Sequence, residues 1–260
     1  MLEKSTSKRI ANWEAVIKCL NGVDSANSNI TELVDRAVLK RLSKDLSKQI
    51  QETEKDKRKR NINDFCRMIE SQTESVIYLP LSQFVDQFNI KYSGNRMQIY
   101  RHTQTTQNIL GEEIHIQIEL PSEETVIIEI QTVLEENYVR EIHSLPPYNN
   151  YTFHDYSSKC EHYIPQCNAR NIMAWGRIAD TEKKGFNILL LENKNDIYGE
   201  WFLLFNRNSA LSRENRVEPF GFEFNELPEQ IQEIGMLSKY SSELIPFDIN
   251  KIIDFISERI

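Results

Sequence analysis

Apolar residues recur every three or four positions along the first 75 residues, which is the spacing of one face of an α-helix. The stripe is longest between Ile30 and Ile50, where it continues for about six turns. It lapses over the charged residues 51–60 and resumes at Ile62. We expect the helix either to break there or to continue as an arm without a partner of its own. Residues 1–75 are therefore predicted to be a helical N-terminal region.

From about residue 76 the pattern changes to short apolar runs, beginning with Val76–Leu79, which are typical of strands separated by loops. The clearest strands lie between residues 113 and 131, where branched apolar residues alternate strictly with polar ones. We interpret these residues as a β-hairpin with one core face and one polar face. If both strands bury their branched residues on the same side, Ile118 lies opposite Ile128.

Beyond the hairpin, Leu134, Tyr138 and Ile142 are spaced by four residues, which predicts a helix over residues 133–145. Residues 148–166 have little periodicity and are predicted to be a long loop. In the last third of the chain we predict a short helix at residues 171–178 and three strands at 186–191, 200–205 and 219–224. Two further helices are predicted at residues 227–236 and 249–260.

Together these elements predict an α+β protein, with a helical N-terminal region followed by a mainly antiparallel sheet and flanking helices. The strands form either one extended sheet or two small ones. We expect a helical region at 1–75, a β-meander with its helix at 76–147 and a C-terminal α+β region at 148–260. The last two regions are either separate domains or one continuous domain.

The net charge of −8 is distributed unevenly along the 260 residues. Residues 1–75 contain 15 Lys and Arg against 12 Asp and Glu, whereas residues 76–260 contain 16 against 27. An acidic surface is a poor binding site for nucleic acid, because lysine and arginine dominate phosphate binding. We therefore expect the partner to be another protein. Contact with nucleic acid would require a local basic patch, for which Lys55–Arg60 is the candidate.

The chain contains no run of about eighteen apolar residues that would span a bilayer, and its first residues contain no apolar signal region. Its four cysteines are too few and too scattered for a disulfide framework. These observations predict a cytoplasmic protein that is not inserted in a membrane.

The polar face of the hairpin is the main candidate for a site. The predicted pairing places Gln117 beside Glu129 and His115 beside Gln131, with Glu119 on the same face. These five side chains could bind a metal ion or a phosphate-bearing ligand, or they could form a solvated sheet face without a ligand. Glu119, Glu129 and Gln131 are the catalytic candidates, with His115 and Gln117 in supporting roles, and Glu119 and Glu129 are also the metal-binding candidates.

One interpretation starts from a helix, three strands and a second helix between residues 62 and 145, with acidic residues on the second and third strands. This arrangement resembles the core of the PD-(D/E)XK restriction-endonuclease-like family. The resemblance implies that Glu119 and Glu129 hold Mg²⁺, which activates water against a phosphodiester. It also implies that Gln131 stands where the family usually has lysine, so the positive charge of that lysine is missing.

A second interpretation starts from Glu129 and Gln131 on a strand and from Glu141 and His143 on the helix predicted after it. This pattern is similar to the end of the RelA/SpoT synthetase domain, in which a Glu-x-Gln strand precedes a helix with a Glu-His pair. The resemblance implies that Glu129 orients a ribose hydroxyl that attacks a pyrophosphate donor. The family's arginine after Glu-x-Gln and its basic phosphate-binding segment are missing, so the relative would be a diverged one.

Four zinc-competent side chains, His154, Cys160, His162 and Cys167, lie within fourteen residues of one another. Their spacing matches no defined pattern of a structural zinc site. They are the weaker metal-site candidate. The alternative is a loop that happens to contain two cysteines.

The sequence contains no Ser/His/Asp elbow, no phosphate-cradling glycine loop and no dinucleotide fingerprint. These absences argue against a nucleotide-hydrolysing motor or a dehydrogenase and favour a binding protein. Our leading hypothesis is a macromolecule-binding or regulatory module without catalysis, which uses the helical N-terminal region and the aromatic C-terminal sheet. The alternatives are a metal-dependent nuclease or phosphodiesterase that uses Mg²⁺, and a diverged nucleotide pyrophosphotransferase.

Overall fold

The computed structural model describes residues 13–105, 110–144, 157–210, 215–232 and 240–260. The α+β prediction is confirmed, because a long N-terminal helix is followed by an eight-stranded antiparallel sheet, a two-stranded sheet and a C-terminal helix. The chain divides into two compact units, residues 1–61 and 62–260. None of the helices in the described residues combines the length and the apolar character needed to cross a membrane.

The described residues of the first unit are helical throughout. Helix α1 (Trp13–Thr73) begins in this unit. It does not break at the charged residues 51–60, because lysine, arginine, glutamate and glutamine are all strong helix formers. Ion pairs such as Glu32 with Arg36, at 2.6 Å, join successive turns.

In the second unit the helical path continues through residues 76–79, where the sequence predicted a strand. After α1 ends at Thr73, a π-helical turn occupies Glu74–Tyr78 and helix α2 spans Leu79–Lys91. Pro80 lies at the start of α2 and has no N–H to donate to the preceding turn, and the helix widens just before it. The strand predicted at Val76–Leu79 is therefore wrong.

Ten strands follow in the described residues of the second unit: β1 Gln98–Thr105, β2 Glu112–Glu119, β3 Thr125–Thr132, β4 Val139–Ser144, β5 Ser157–His162, β6 Gln166–Cys167, β7 Arg170–Ala179, β8 Gly185–Leu191, β9 Glu200–Asn208 and β10 Tyr240–Pro246. Seven of them form a continuous antiparallel path in the order β1-β2-β3-β7-β8-β9-β10, and β6 pairs with β7. β4 and β5 form the separate two-stranded sheet. The strands on either side of residue 147 thus share one sheet, joined where β3 pairs with β7.

Two predicted helices are strands instead. Residues 133–145 contain a 3-10 turn (Glu135–Asn137) followed by β4, and residues 171–178 lie within β7. A spacing of four residues places side chains on one face of a helix but equally on one face of a strand, so this spacing did not distinguish the two. In β7 the apolar residues Met173 and Ile178 lie on the face opposite the buried Ile172 and Trp175, which removes the alternation that identifies a strand.

The remaining predicted elements differ in extent. The predicted loop 148–166 contains β5, and its residues 148–156 lie outside the described ones. Residues 219–224 do not form a ladder strand, since Phe220 makes isolated bridges to neighbouring strands. Helices α3 (Leu227–Gln232) and α4 (Ile249–Ser257) lie within the last two predicted helices, and residues 233–236 of the former prediction lie outside the described residues.

The sheet carries a hydrophobic cluster on each face. Helices α2 and α4 and the last turns of α1 cover the first cluster. The hairpin contributes six branched residues to this first cluster: Ile114, Ile116, Ile118, Val126, Ile128 and Ile130. Residues 220–231 cover the second cluster, which is built on Trp175 of β7 with Leu189 and Leu204 of the next two strands. The polar face of β2 and β3 lies on this second side of the sheet.

The hairpin pairs two residues out of the predicted register. Ile116 lies opposite Ile128 and His115 lies opposite Glu129, because a three-residue turn joins the strands and Glu123 adopts a left-handed conformation with φ of 68°. A shift of two residues keeps every side chain on its predicted face, so the buried face is confirmed. The predicted cross-strand pairs are wrong: Ile118 with Ile128, Gln117 with Glu129, and His115 with Gln131.

Two buried asparagines hold residues 219–224, here called the cover segment, on the sheet. Asn187 donates to the carbonyl of Phe222 at 2.9 Å and accepts from its N–H at 2.8 Å. Asn206 donates to Oδ1 of Asn187 at 2.9 Å and to the carbonyl of Phe220 at 3.0 Å. Both asparagines are fully buried, where an unsatisfied amide would cost about 1–3 kcal/mol. These side-chain bonds act together with the isolated backbone bridges of Phe220.

Gly176 is required where β7 approaches β3. A Cβ atom at this position would lie 2.3 Å from the carbonyl oxygen of Glu129, which is backbone and cannot move aside. We expect Gly176→Ala to lower the free energy of unfolding by about 3 kcal/mol or to prevent folding, as measured by urea denaturation. Gly94→Ala is the control, because the added atom would meet the exposed ring of Tyr92, which can rotate away. Equal losses in the two variants would contradict the prediction.

Candidate functional site

A row of polar side chains crosses the sheet on the side opposite α2 and α4. The strand pairing makes five residues successive cross-strand neighbours, one from each of β1, β2, β3, β7 and β8. These residues, here called the polar row, are His102, His115, Glu129, Arg177 and Asn187. Because directly paired residues point to the same face, the row forms one continuous polar line across the sheet.

Arg177 connects the polar row to the cover segment. Its Nη2 donates to Oε2 of Glu129 at 2.9 Å, and its Nη1 donates to Oε1 of Glu223 at 3.2 Å. The side chains of Arg177 and Glu129 are only 23% and 22% exposed, so their attraction is screened less than that of a surface pair. Glu223 follows Phe222, whose backbone is fixed by Asn187.

His115 lies between two carboxylates. Its Nε2 is 3.2 Å from Oε1 of Glu113, and its Nδ1 is 4.0 Å from Oε1 of Glu129. The same Nε2 lies 2.9 Å from the amide nitrogen of Gln104, so the ring accepts from Gln104 in one tautomer and donates to Glu113 in the other. The ring also stacks on His102, with the centroids 4.8 Å apart and the planes at 3°. The imidazole is thereby held from several sides in one orientation.

A cleft of about 310 Å³ opens beside the polar row. It is lined by Glu113, Glu129, Arg177, Glu223, Phe224 and Asn225 and is here called the acidic cleft. Three carboxylates and one guanidinium leave an excess of two formal negative charges. A concave surface with such an excess attracts cations and repels anions.

The structure brings some of the predicted site residues together and separates others. His115 and Glu129 are directly paired, and Gln131 lies two residues along β3 with a relative exposure of 5%. Gln117 donates to Glu119 at 3.2 Å. Glu119 lies four residues along β2 from His115, which is roughly 13 Å along an extended strand. The carboxylates of Glu119 and Glu129 are therefore not neighbours.

Among the described residues, no three His, Cys, Asp or Glu side chains are grouped closely enough to hold a metal ion. Cys160 and His162 lie on β5 and are exposed, whereas Cys167 is buried in the second cluster. Burial raises the pKa of the Cys167 thiol. His154, the fourth residue of the predicted zinc group, lies outside the described residues.

Both family resemblances implied a helix directly after the hairpin. β4 occupies that part of the chain, so Glu141 and His143 lie on a strand. The second helix of an endonuclease-like core is likewise not formed by residues 133–144. The order of elements that suggested each family therefore differs from the order in the structure.

Of the residues that line the acidic cleft, Glu129 was predicted from the sequence, and its two ion-pairing neighbours Arg177 and Glu223 were not. Arg177 is 48 residues from Glu129 and becomes its neighbour through the pairing of β7 with β3. Glu223 is 46 residues from Arg177. The alternation of Phe222, Glu223 and Phe224 indicates a polar side chain on its own side of the segment, whereas no local pattern indicates Arg177.

Comparison of the chain with models of protein families, with characterised proteins and with solved structures gives no significant match. The charges and contacts of the acidic cleft are the basis for a functional assignment.

A second ion pair lies next to the acidic cleft. Arg216 donates to both carboxylate oxygens of Glu226, at 2.5 and 3.0 Å. Its guanidinium also lies 5.3–5.6 Å from the ring centroids of Phe220, Phe222 and Tyr240. The hydrogen bonds from Arg216 hold the pKa of Glu226 below its usual value of 4.5. The attraction between Arg216 and Glu226 thus stabilises the end of the cover segment, where the N–H of Glu223 donates to Oε2 of Glu226.

Glu226→Gln should lower the free energy of unfolding near neutral pH. Because folding lowers the pKa of Glu226, its stabilising contribution is present above the unfolded value of 4.5 and is lost as the pH falls through the folded value. The difference between variant and wild type should therefore shrink as the pH falls below 4.5, as measured by urea denaturation at a series of pH values. Glu229→Gln, at an exposed position of α3, is the matched control. A difference for Glu226→Gln that does not change with pH would refute this assignment.

Proposed function

We propose that the protein is a non-catalytic protein-binding module that recognises a basic segment of its partner in the acidic cleft. The partner would place a lysine or arginine side chain between the carboxylates. The observation that carries this proposal is the convergence of Glu113, Glu129 and Glu223 around one cleft in which, among the described residues, Arg177 supplies the guanidinium.

The electrostatics of the cleft favour a cationic group. The side chains of Glu113 and Glu129 are only 17% and 22% exposed, so a charge that enters the cleft is screened less than on an open surface. Arg177 offsets part of the repulsion between Glu129 and Glu223 but leaves the negative excess in place. Its own contacts also show that these carboxylates accept a guanidinium at 2.9–3.2 Å.

The shape of the cleft is consistent with a side chain rather than a large ligand. Its volume of about 310 Å³ is at the lower end of the range for ligand pockets. Phe224 supplies an aromatic face, on which a guanidinium or ammonium group gains a cation–π contribution. Asn225 adds an amide that can accept a hydrogen bond from the same group.

The same geometry gives less support to phosphodiester hydrolysis. A Mg²⁺ ion held by Glu119 and Glu129 would require their carboxylates to share one site, but they are separated along the hairpin by roughly 13 Å. A negative excess around Glu129 also repels a phosphodiester. Recognition of a cationic protein segment by Glu113, Glu129 and Glu223 requires no shared metal site and is favoured by the negative excess.

Binding of a fluorescently labelled oligoarginine peptide, followed by anisotropy, tests the proposal. We expect wild-type protein to bind this peptide, to bind it more weakly as salt is added, and not to bind a labelled oligoglutamate peptide. Glu223→Gln should weaken binding by about tenfold, because it removes one carboxylate and leaves Arg177 less neutralised toward an incoming cation.

Glu229→Gln is the control for this experiment, because it removes the same charge from an exposed position of α3 that does not line the cleft. It should change the dissociation constant by less than about twofold. Equal effects of the two substitutions would show that binding reflects the general acidity of residues 62–260 and would exclude the cleft as its site.

A further inference from the structure

Residues 33–50 of α1, here called the α1 stripe, expose seven aliphatic side chains. Each is 50–66% exposed: Leu33, Val34, Val38, Leu39, Leu42, Leu46 and Ile50. Val34, Val38, Leu42 and Leu46 follow one another at four-residue intervals, which places them within an arc of about 120° on the helix. An apolar arc of this width is typical of a helix that packs against another element.

The area of the α1 stripe matches that of a helix pair. One aliphatic side chain has roughly 60–120 Å² of surface to bury. Leu33 lies about 100° around the helix from the nearest of the others. At the exposures given above, the other six side chains offer about 200–400 Å² per chain, or about 400–800 Å² for two chains. Specific interfaces bury about 1,200–2,000 Å² in total, of which a little more than half is apolar. The stems of the lysines and arginines beside the stripe supply further area.

The shape of the α1 stripe favours packing against another long helix. It is about 27 Å long, and its side chains other than Leu33 lie within about 160° of the helix circumference. The other helices in the described residues, α2, α3 and α4, contain 13, 6 and 9 residues. They already bury side chains such as Leu81, Leu227 and Ile256 in the two clusters. Within the described residues, the helix whose length and apolar face match those of the stripe is thus α1 itself, in a second copy of the chain.

The charges beside the α1 stripe permit two copies to approach. Residues 32–50 contain five basic and three acidic residues. Two of the basic side chains are paired within the helix, Arg36 with Glu32 at 2.6 Å and Arg41 with Asp45 at 3.0 Å. The mixed signs leave a small net charge, so this face does not require a partner of opposite sign. The basic run Lys55–Arg60 lies beyond the stripe.

From these observations we infer that α1 pairs along its stripe with α1 of a second copy, so that the protein is a homodimer. The helices bury Val38, Leu42 and Leu46 of both copies along one seam, as in a pair of packed helices. This inference depends on residues of the first unit and is independent of the acidic cleft.

Light scattering coupled to size-exclusion chromatography of the full chain tests the inference. Wild-type protein at about 10–50 µM should have twice the chain mass of 30.6 kDa. Leu42→Asp combined with Leu46→Asp should give the mass of one chain and weaken the dimer at least about 100-fold in sedimentation equilibrium, because it places charges in the seam. The near-ultraviolet circular dichroism should be unchanged, which would show that residues 62–260 remain folded.

Lys40→Asp combined with Lys44→Asp is the matched control. Each of these positions is two residues from Leu42 and therefore about 200° around the helix from it. The control introduces the same side chains on the other face and should remain dimeric. A monomeric wild type would overturn the inference, as would a variant at Leu42 and Leu46 that dimerises as tightly as wild type. Assembly of wild type only in the presence of a DNA oligonucleotide would also overturn it.

Discussion

The pairing of β3 with β7 is the contact on which the architecture of residues 62–260 depends, because it joins two sets of sequential antiparallel strands into one sheet. The two backbones approach so closely at Gly176 that no side chain fits between them. At the next position the same two strands bring Glu129 and Arg177 into contact. One strand pair therefore completes the helix-covered core on one face and the polar row on the other.

The acidic cleft is assembled from three parts of the chain that are distant in sequence. The hairpin supplies Glu113 and Glu129, β7 supplies Arg177, and the cover segment supplies Glu223. Carboxylates this close would repel one another, and Arg177 lowers that cost by donating to two of them. Because a partly buried ion pair also fixes orientation, the same contacts that stabilise the cleft present its charges in a defined geometry.

The sequence predicted the α+β class and the buried face of the hairpin, since alternation specifies which side chains share a face. It did not predict the register, because the turn at Glu123 has neither glycine nor asparagine at its left-handed position to mark it. The helix predicted over 133–145 failed because a four-residue spacing is compatible with a strand as well. Arg177 was missed because long-range strand pairing has no local signal, so of the charged groups of the acidic cleft the site prediction contained only Glu129.

The attachment of the cover segment through Asn187 and Asn206 has a consequence for dynamics. A strand in a ladder is paired with its neighbour residue by residue, whereas this segment is held by isolated backbone bridges and a few side-chain bonds. Its local opening would therefore leave the strand pairing of the sheet intact. Such opening would carry Glu223 away and leave Arg177 with Glu129 alone. A cationic ligand that contacts Glu223 would favour the conformation in which the segment stays on the sheet.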